Sequence, residues 1–228
     1  MTPLPSGMAR TRIKICGVTR PEDAALAAAL GADAVGMVFH PPAGRNVSLE
    51  AAREIIAALP AYVTPVGLFV DADAEQIRAV TAALGLRHVQ LNGHEGPEFV
   101  AGLGEFRVVK AVRVEGEAFG AELARWREAR GRLGLGNLVG LVLETGGTKQ
   151  AGGTGVANDW ARVRRHVEAG DFAGLPPLIA AGGLTPETVG EVVRAIRPYA
   201  VDVSSGVEVE RGKKDAGRME AFVAAVGH

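Results

Sequence analysis

Eight short, almost unbroken apolar runs punctuate the chain, and each is followed by a stretch in which apolar positions recur every three or four residues. The runs are RIKIC (12–16), DAVGMVF (33–39), PVGLFV (65–70), RHVQL (87–91), FRVVKAV (106–112), LVGLVLE (138–144), PLIAAG (177–182) and YAVDVS (199–204). Near-continuous apolar character over so short a length marks strands covered on both faces, as in a parallel sheet. The stretches between them read as helices with recognisable ends. Acids stand in the first turn of 20–31 and Gly31 closes it; Ser48 opens 48–60 and Pro60 ends it; aspartates open 71–85 and Gly85 ends it. Five more follow at 95–104, 117–129, 159–170, 185–196 and 215–226. Eight strand–helix units predict a single (β/α)8 TIM barrel over residues 11–228, preceded by a loose tail at 1–10. An open doubly wound sheet is the alternative. The lack of a G-x-G-x-x-G after the first strand weighs against its dinucleotide-binding form.

Composition restricts what such a fold would bind. With 47% apolar residues the chain has material for a large core. Its 25 basic and 26 acidic residues leave a formal charge of −1, so no electrostatic grip on nucleic acid or on an acidic membrane is expected. No window approaches the ~20 apolar residues of a membrane span, and residues 1–10 carry no apolar segment of signal-peptide length, so a cytoplasmic protein is expected. The single cysteine, Cys16, excludes an internal disulfide and fits a reducing compartment.

In a barrel of this kind the active site forms where the strands end. Those ends carry Cys16 and Gly17, His40 to Arg45, Asp71, Gln90 to Asn92, Arg113, Glu144, Gly182 and Gly183, and Ser204 to Gly206. Cys16 is either a small buried hydrophobe or, once its pKa is lowered, a base or nucleophile. Glu144 is either a solvated rim residue or an acid facing that thiol. Arg45, in the loop after the second strand, is either solvated or a fork of donors for a carboxylate. The turns at 182–183 and 204–206 follow strands seven and eight, where barrels commonly bind phosphate. His88 reads as a packed histidine, and no spacing of His, Asp and Glu predicts a metal site.

Taken together the motifs KICGVT, VGLFV, VQLNGHE, GGTGVANDW, AGGLTPETV and VDVSSGVE with a following KKD resemble the phosphoribosylanthranilate isomerase family of tryptophan biosynthesis, in that family's order and over about residues 12–226. The resemblance implies a barrel that needs no metal or cofactor, takes a small phosphorylated substrate, and occurs as a monomer or homodimer. It implies that Cys16 is the general base, that the acid at the end of strand six opens the ribose ring, and that Arg45 holds the anthranilate carboxylate. It also assigns the phosphate to Gly182, Gly183, Ser204, Ser205 and Gly206.

Two positions depart from the family pattern. Glu144 stands where aspartate is usual, adding roughly 1.5 Å of reach, so Asp159 and Asp202 are weighed as alternative or supporting acids. Asn92 stands where histidine is common. Other readings remain at this stage: a sugar-phosphate epimerase, which would need metal-ligating histidines; an indoleglycerol-phosphate synthase, for which Lys14 would be the candidate lysine; or a non-catalytic phosphate-binding barrel.

Overall fold

The computed structural model describes residues 10–145 and 158–227. All eight predicted strands are present: β1 (Arg12–Ile15), β2 (Ala34–Val38), β3 (Thr64–Phe69), β4 (His88–Leu91), β5 (Arg107–Val114), β6 (Leu138–Thr145), β7 (Leu178–Ala180) and β8 (Ala200–Val203). They pair in parallel in sequence order, and β8 closes on β1 with Lys14 opposite Asp202. The helices alternate with them: α1 (Pro21–Ala29), α2 (Leu49–Ala57), α3 (Ala74–Leu84), α4 (Pro97–Ala101), α5 (Ala118–Leu133), α6 (Trp160–Glu168), α7 (Pro186–Ile196) and α8 (Ala216–Val226). The closed barrel is the predicted architecture, and the open-sheet alternative is excluded. No helix among the described residues is long and apolar enough to cross a membrane.

Side-chain alternation along each strand divides the interior in two. Ile13, Ile15, Met37, Phe69, Leu91 and Leu143 join helical residues such as Ile55, Ile77, Phe119 and Trp126 in the main apolar cluster. A second cluster, confined to Cys16, Val38 and Leu68, lies on the other side of the strands, toward the mouth. Helix starts follow the sequence signals. Ser48 Oγ accepts from the Ala51 amide at 3.1 Å and Asp73 Oδ1 from that of Gln76 at 2.7 Å. Gly85 closes α3 in the left-handed conformation, φ 68°.

Three details differ from expectation. The 95–104 helix shortens to the five residues of α4. A two-stranded hairpin, β9 (Glu208–Glu210) with β10 (Lys213–Lys214), lies between β8 and α8. Its short, charged strands carry no apolar periodicity, so the sequence pattern passes over it. Of the predicted tail only Arg10 is described, and its guanidinium forks onto Asp33 at 2.8 and 2.6 Å. Residues 146–157, which hold most of the glycine-rich stretch TGGTKQAGGTG that continues from β6, also lie outside the described residues.

Candidate active site

Cys16 follows the last residue of β1, and Lys14 lies two positions earlier on the same face. The Lys14 ammonium pairs with Asp202 Oδ2 at 2.8 Å, and both side chains are buried. Gly36 of β2 supplies the space: a Cβ there would stand 2.8 Å from the Cys16 sulfur and 3.1 Å from Lys14 Nζ. Glycine at this position therefore lets an ammonium and a thiol share one corner of the barrel mouth. Burial pushes the Cys16 thiol up; Lys14 and Lys214 pull it down, Asp202 adds to the rise, and burial prevails. The direction is thus opposite to the lowered thiol pKa that the base role calls for. Burial opposes the charge on Lys14, but Asp202 and Cys16 outweigh it and the amine is raised, so it stays an ammonium.

Glu144 ends β6 across the mouth. Its Oε2 accepts from Asn92 Nδ2 at 3.0 Å. Burial pushes its carboxyl up and Asp202 adds to this, against the Asn92 contact and the charges of Lys14 and Arg113. The net direction favours a proton-carrying carboxyl, as a general acid requires. Asp159, weighed as an alternative acid, is committed elsewhere: it caps α6, accepting from the Arg162 amide at 2.9 Å.

Arg45 reaches the mouth as part of a buried charge network. Its Nε and Nη2 donate to the two carboxylate oxygens of Glu208 at 2.8 and 2.7 Å. Glu208 Oε1 also takes Lys214 Nζ at 2.8 Å, and the same ammonium donates to the carbonyls of Cys16 (2.6 Å) and Ser204 (3.2 Å). The hairpin thus ties the ends of β1 and β8 together. Burial alone would raise the Glu208 carboxyl, but Arg45 and Lys214 hold it below the ordinary range. A depressed carboxylate stabilises the fold above its unfolded pKa, and that contribution disappears as pH falls through the folded value. Glu208→Gln should therefore lower stability at pH 7 by about 3–5 kcal/mol, the cost of leaving buried cations unpaired. In thermal melts the gap between wild type and variant should narrow as pH falls below the ordinary glutamate value of about 4.3; a gap independent of pH would refute the assignment.

The last two strands end in the glycine-rich turns. Gly182 and Gly183 follow β7, and a 3-10 turn, Ser205–Val207, follows β8. Gly206 packs so closely on the neighbouring turn that a Cβ would overlap the Leu184 carbonyl. Asn158 Nδ2 bridges the carbonyls of Leu143 (2.9 Å) and Ala181 (2.6 Å), fixing β6 against β7.

One cleft at the mouth collects the residues to which the resemblance gives a role, together with Asp202: Cys16, Arg45, Glu144, Gly182, Gly183, Asp202, Ser204, Ser205 and Gly206. Other strand-end residues fall outside it. Asp71 turns away to His94, with Oδ2 3.0 Å from the ring Nδ1. Gln90 is buried below Asn92, and Arg113 lines an adjoining pocket. Gly36, Asn158, Glu208 and Lys214 are supporting residues that strand-end reasoning missed, and Lys14, weighed from sequence only as a synthase lysine, joins them. KICGVT, GGTGVANDW and VDVSSGVE contain three of them, so the motifs marked the place without giving the contacts.

Comparison with known proteins agrees with this fold. The profile of the N-(5'-phosphoribosyl)anthranilate (PRA) isomerase family matches residues 13–225. The N-(5'-phosphoribosyl)anthranilate isomerase of Halorhodospira halophila is 45% identical over 218 residues, covering 95% of this chain and 97% of that one. The crystal structure of the Thermotoga maritima phosphoribosyl anthranilate isomerase superposes with a TM-score of 0.82 at 36% identity, over 95% of this chain and 98% of that one. A phosphoribosyl anthranilate isomerase in complex with reduced 1-(o-carboxyphenylamino)-1-deoxyribulose 5-phosphate superposes with a TM-score of 0.79 at 35% identity and the same coverage.

Proposed function

The chain belongs to the N-(5'-phosphoribosyl)anthranilate isomerase family, and from that premise we propose that Cys16 and Glu144 are its base and acid. The protein is an isomerase that converts N-(5-phosphoribosyl)anthranilate, an aminoaldose, into 1-(2-carboxyphenylamino)-1-deoxyribulose 5-phosphate, an aminoketose. In this reading the epimerase, synthase and binding-only alternatives fall away.

The phosphate sits on the turns at Gly182–Gly183 and Ser204–Gly206, whose backbone N–H groups suit an anion. Arg45 is held by Glu208 through two of the five N–H donors that a guanidinium carries. Its remaining donors are offered to the anthranilate carboxylate. Glu144 gives its proton to the ribose ring oxygen. The C1′–O bond breaks, and the nitrogen lone pair forms a C1′=N iminium. That cation acidifies C2′–H. The Cys16 thiolate takes this proton, the C–H electrons form C1′=C2′, and the iminium pair returns to nitrogen. The resulting enaminol loses its hydroxyl proton and gains one at C1′, giving the ketone. Lys14, which stays charged, offsets part of the burial that raises the thiol and faces the thiolate in this step.

The observation that carries this reading is the convergence of a thiol, a carboxyl that burial pushes up and two glycine-rich turns on one cleft. Incubation of the purified protein with phosphoribosylanthranilate should remove the anthranilate-type fluorescence and yield the aminoketose by NMR. Tight phosphate-ester binding without turnover would overturn the reading.

A further inference from the structure

Beneath the mouth runs a chain of buried amides to which the reaction scheme gives no task. Gln90 is 1% exposed and Asn92 4%. Gln90 Nε2 donates to Asn92 Oδ1 at 2.9 Å, and Asn92 Nδ2 donates onward to Glu144 Oε2 at 3.0 Å. A side-chain amide accepts only at oxygen and donates only at nitrogen. In this arrangement Gln90 donates to the Asn92 oxygen, and the Asn92 NH2 group is turned to Glu144. The contact joins β4 to β6 across 52 residues of sequence, so it fixes the carboxyl against a second strand.

We propose that Asn92 is a positioning residue for the acid: its N–H holds Glu144 Oε2 and leaves Oε1 to carry the proton delivered to the substrate's ring oxygen. This rests on the reading of Glu144 as proton donor. Without such a tie, a glutamate has one more rotatable bond than an aspartate and a wider spread of carboxyl positions. The amide chain is what lets a longer acid act with a fixed aim.

The tie acts in opposite senses on aim and acidity. A hydrogen bond donated to a carboxylate favours its charged form. At Glu144 burial pushes upward, and the Asn92 contact is the largest opposing influence. Asp202 on β8 also raises this carboxyl, while Lys14 on β1 and Arg113 on β5 lower it. Loss of the Asn92 donor should therefore leave a carboxyl that holds its proton more tightly and points less well. A purely structural role would not couple those two changes.

The test uses the full chain with 13C-labelled glutamate Cδ, with the Glu144 signal assigned through Glu144→Gln. Asn92→Leu removes the donor at similar volume. Asn92→Asp keeps the shape and the Gln90 contact but replaces the donor with an acceptor, and it decides the matter if the leucine variant does not fold. The Glu144 titration midpoint should rise in Asn92→Leu and rise further in Asn92→Asp. In both, kcat should fall by about tenfold to a hundredfold, with KM changed by less than about twofold. An unshifted midpoint, or a kcat equal to wild type, in a folded variant overturns the positioning role. Full turnover in Glu144→Gln would overturn the acid assignment itself, so the two failures are distinguishable.

Discussion

Replacing Cys16 with alanine is expected to lower turnover of phosphoribosylanthranilate by about 10²–10⁴-fold, the usual worth of a positioned general base, while the barrel stays folded. The fold should tolerate the change. Cys16 packs in a cluster of only three buried residues at the mouth, and loss of one sulfur there is an ordinary mutation costing about 1 kcal/mol. The chemistry should not tolerate it. Among the described residues Cys16 is the group that combines proton affinity with a place between the Lys14 ammonium and the cleft. Glu144 remains in the variant, so ring opening should persist while exchange of the C2′ hydrogen with solvent stops. Proton exchange in D2O, followed by NMR, reads that step separately from overall turnover. Cys16→Ser should fare little better, because an alcohol is a far weaker acid than a thiol and supplies almost no anion. An alanine variant within about tenfold of wild type, or one that still exchanges C2′–H, would remove the thiol from the mechanism.

The barrel was legible in the sequence because its information is local. Each strand is buried on both faces and so reads as an apolar run whatever it pairs with; each observed strand lies within about two residues of its run. The candidate residues were legible for a related reason: in this architecture strand ends converge, and Cys16, Glu144 and the two glycine-rich turns each stand at one. What stayed hidden is non-local and polar. Lys14 meets Asp202 across 188 residues, Arg45 meets Glu208 across 163, and Lys214 reaches the Cys16 carbonyl across 198. No periodicity records such pairs. A weak trace of them exists in composition. Of the five lysines in the chain, Lys14, Lys110 and Lys214 are buried and ion-paired. Where lysine is scarce and arginine covers the surface, three of the five lysines are buried in ion pairs. Gly36 is a further case. In sequence it is one glycine within an apolar run; in the fold it is the absence of a side chain that lets sulfur and ammonium approach.

Glu144 provides the second large effect, and its two substitutions should separate charge from reach. Glu144→Gln keeps the length and an oxygen to accept from Asn92 but has no proton to give. Turnover should fall by about 10²–10⁴-fold with little change in KM, because the phosphate and carboxylate grips lie elsewhere in the cleft. Glu144→Asp keeps the acid and withdraws it by roughly 1.5 Å. That distance is enough to break a 3.0 Å contact with Asn92 and to misplace the donor from the ring oxygen, so a loss of about tenfold to a hundredfold is expected. The aspartate starts from a slightly lower intrinsic pKa but gives up the Asn92 donor that pulls Glu144 down, so the two influences on its titration oppose each other. The order wild type, then aspartate, then glutamine follows only if both the proton and its placement matter. If the aspartate variant matched wild type, reach would be irrelevant and the Asn92–Glu144 contact idle; if the glutamine variant matched it, the ring would be opened by another acid.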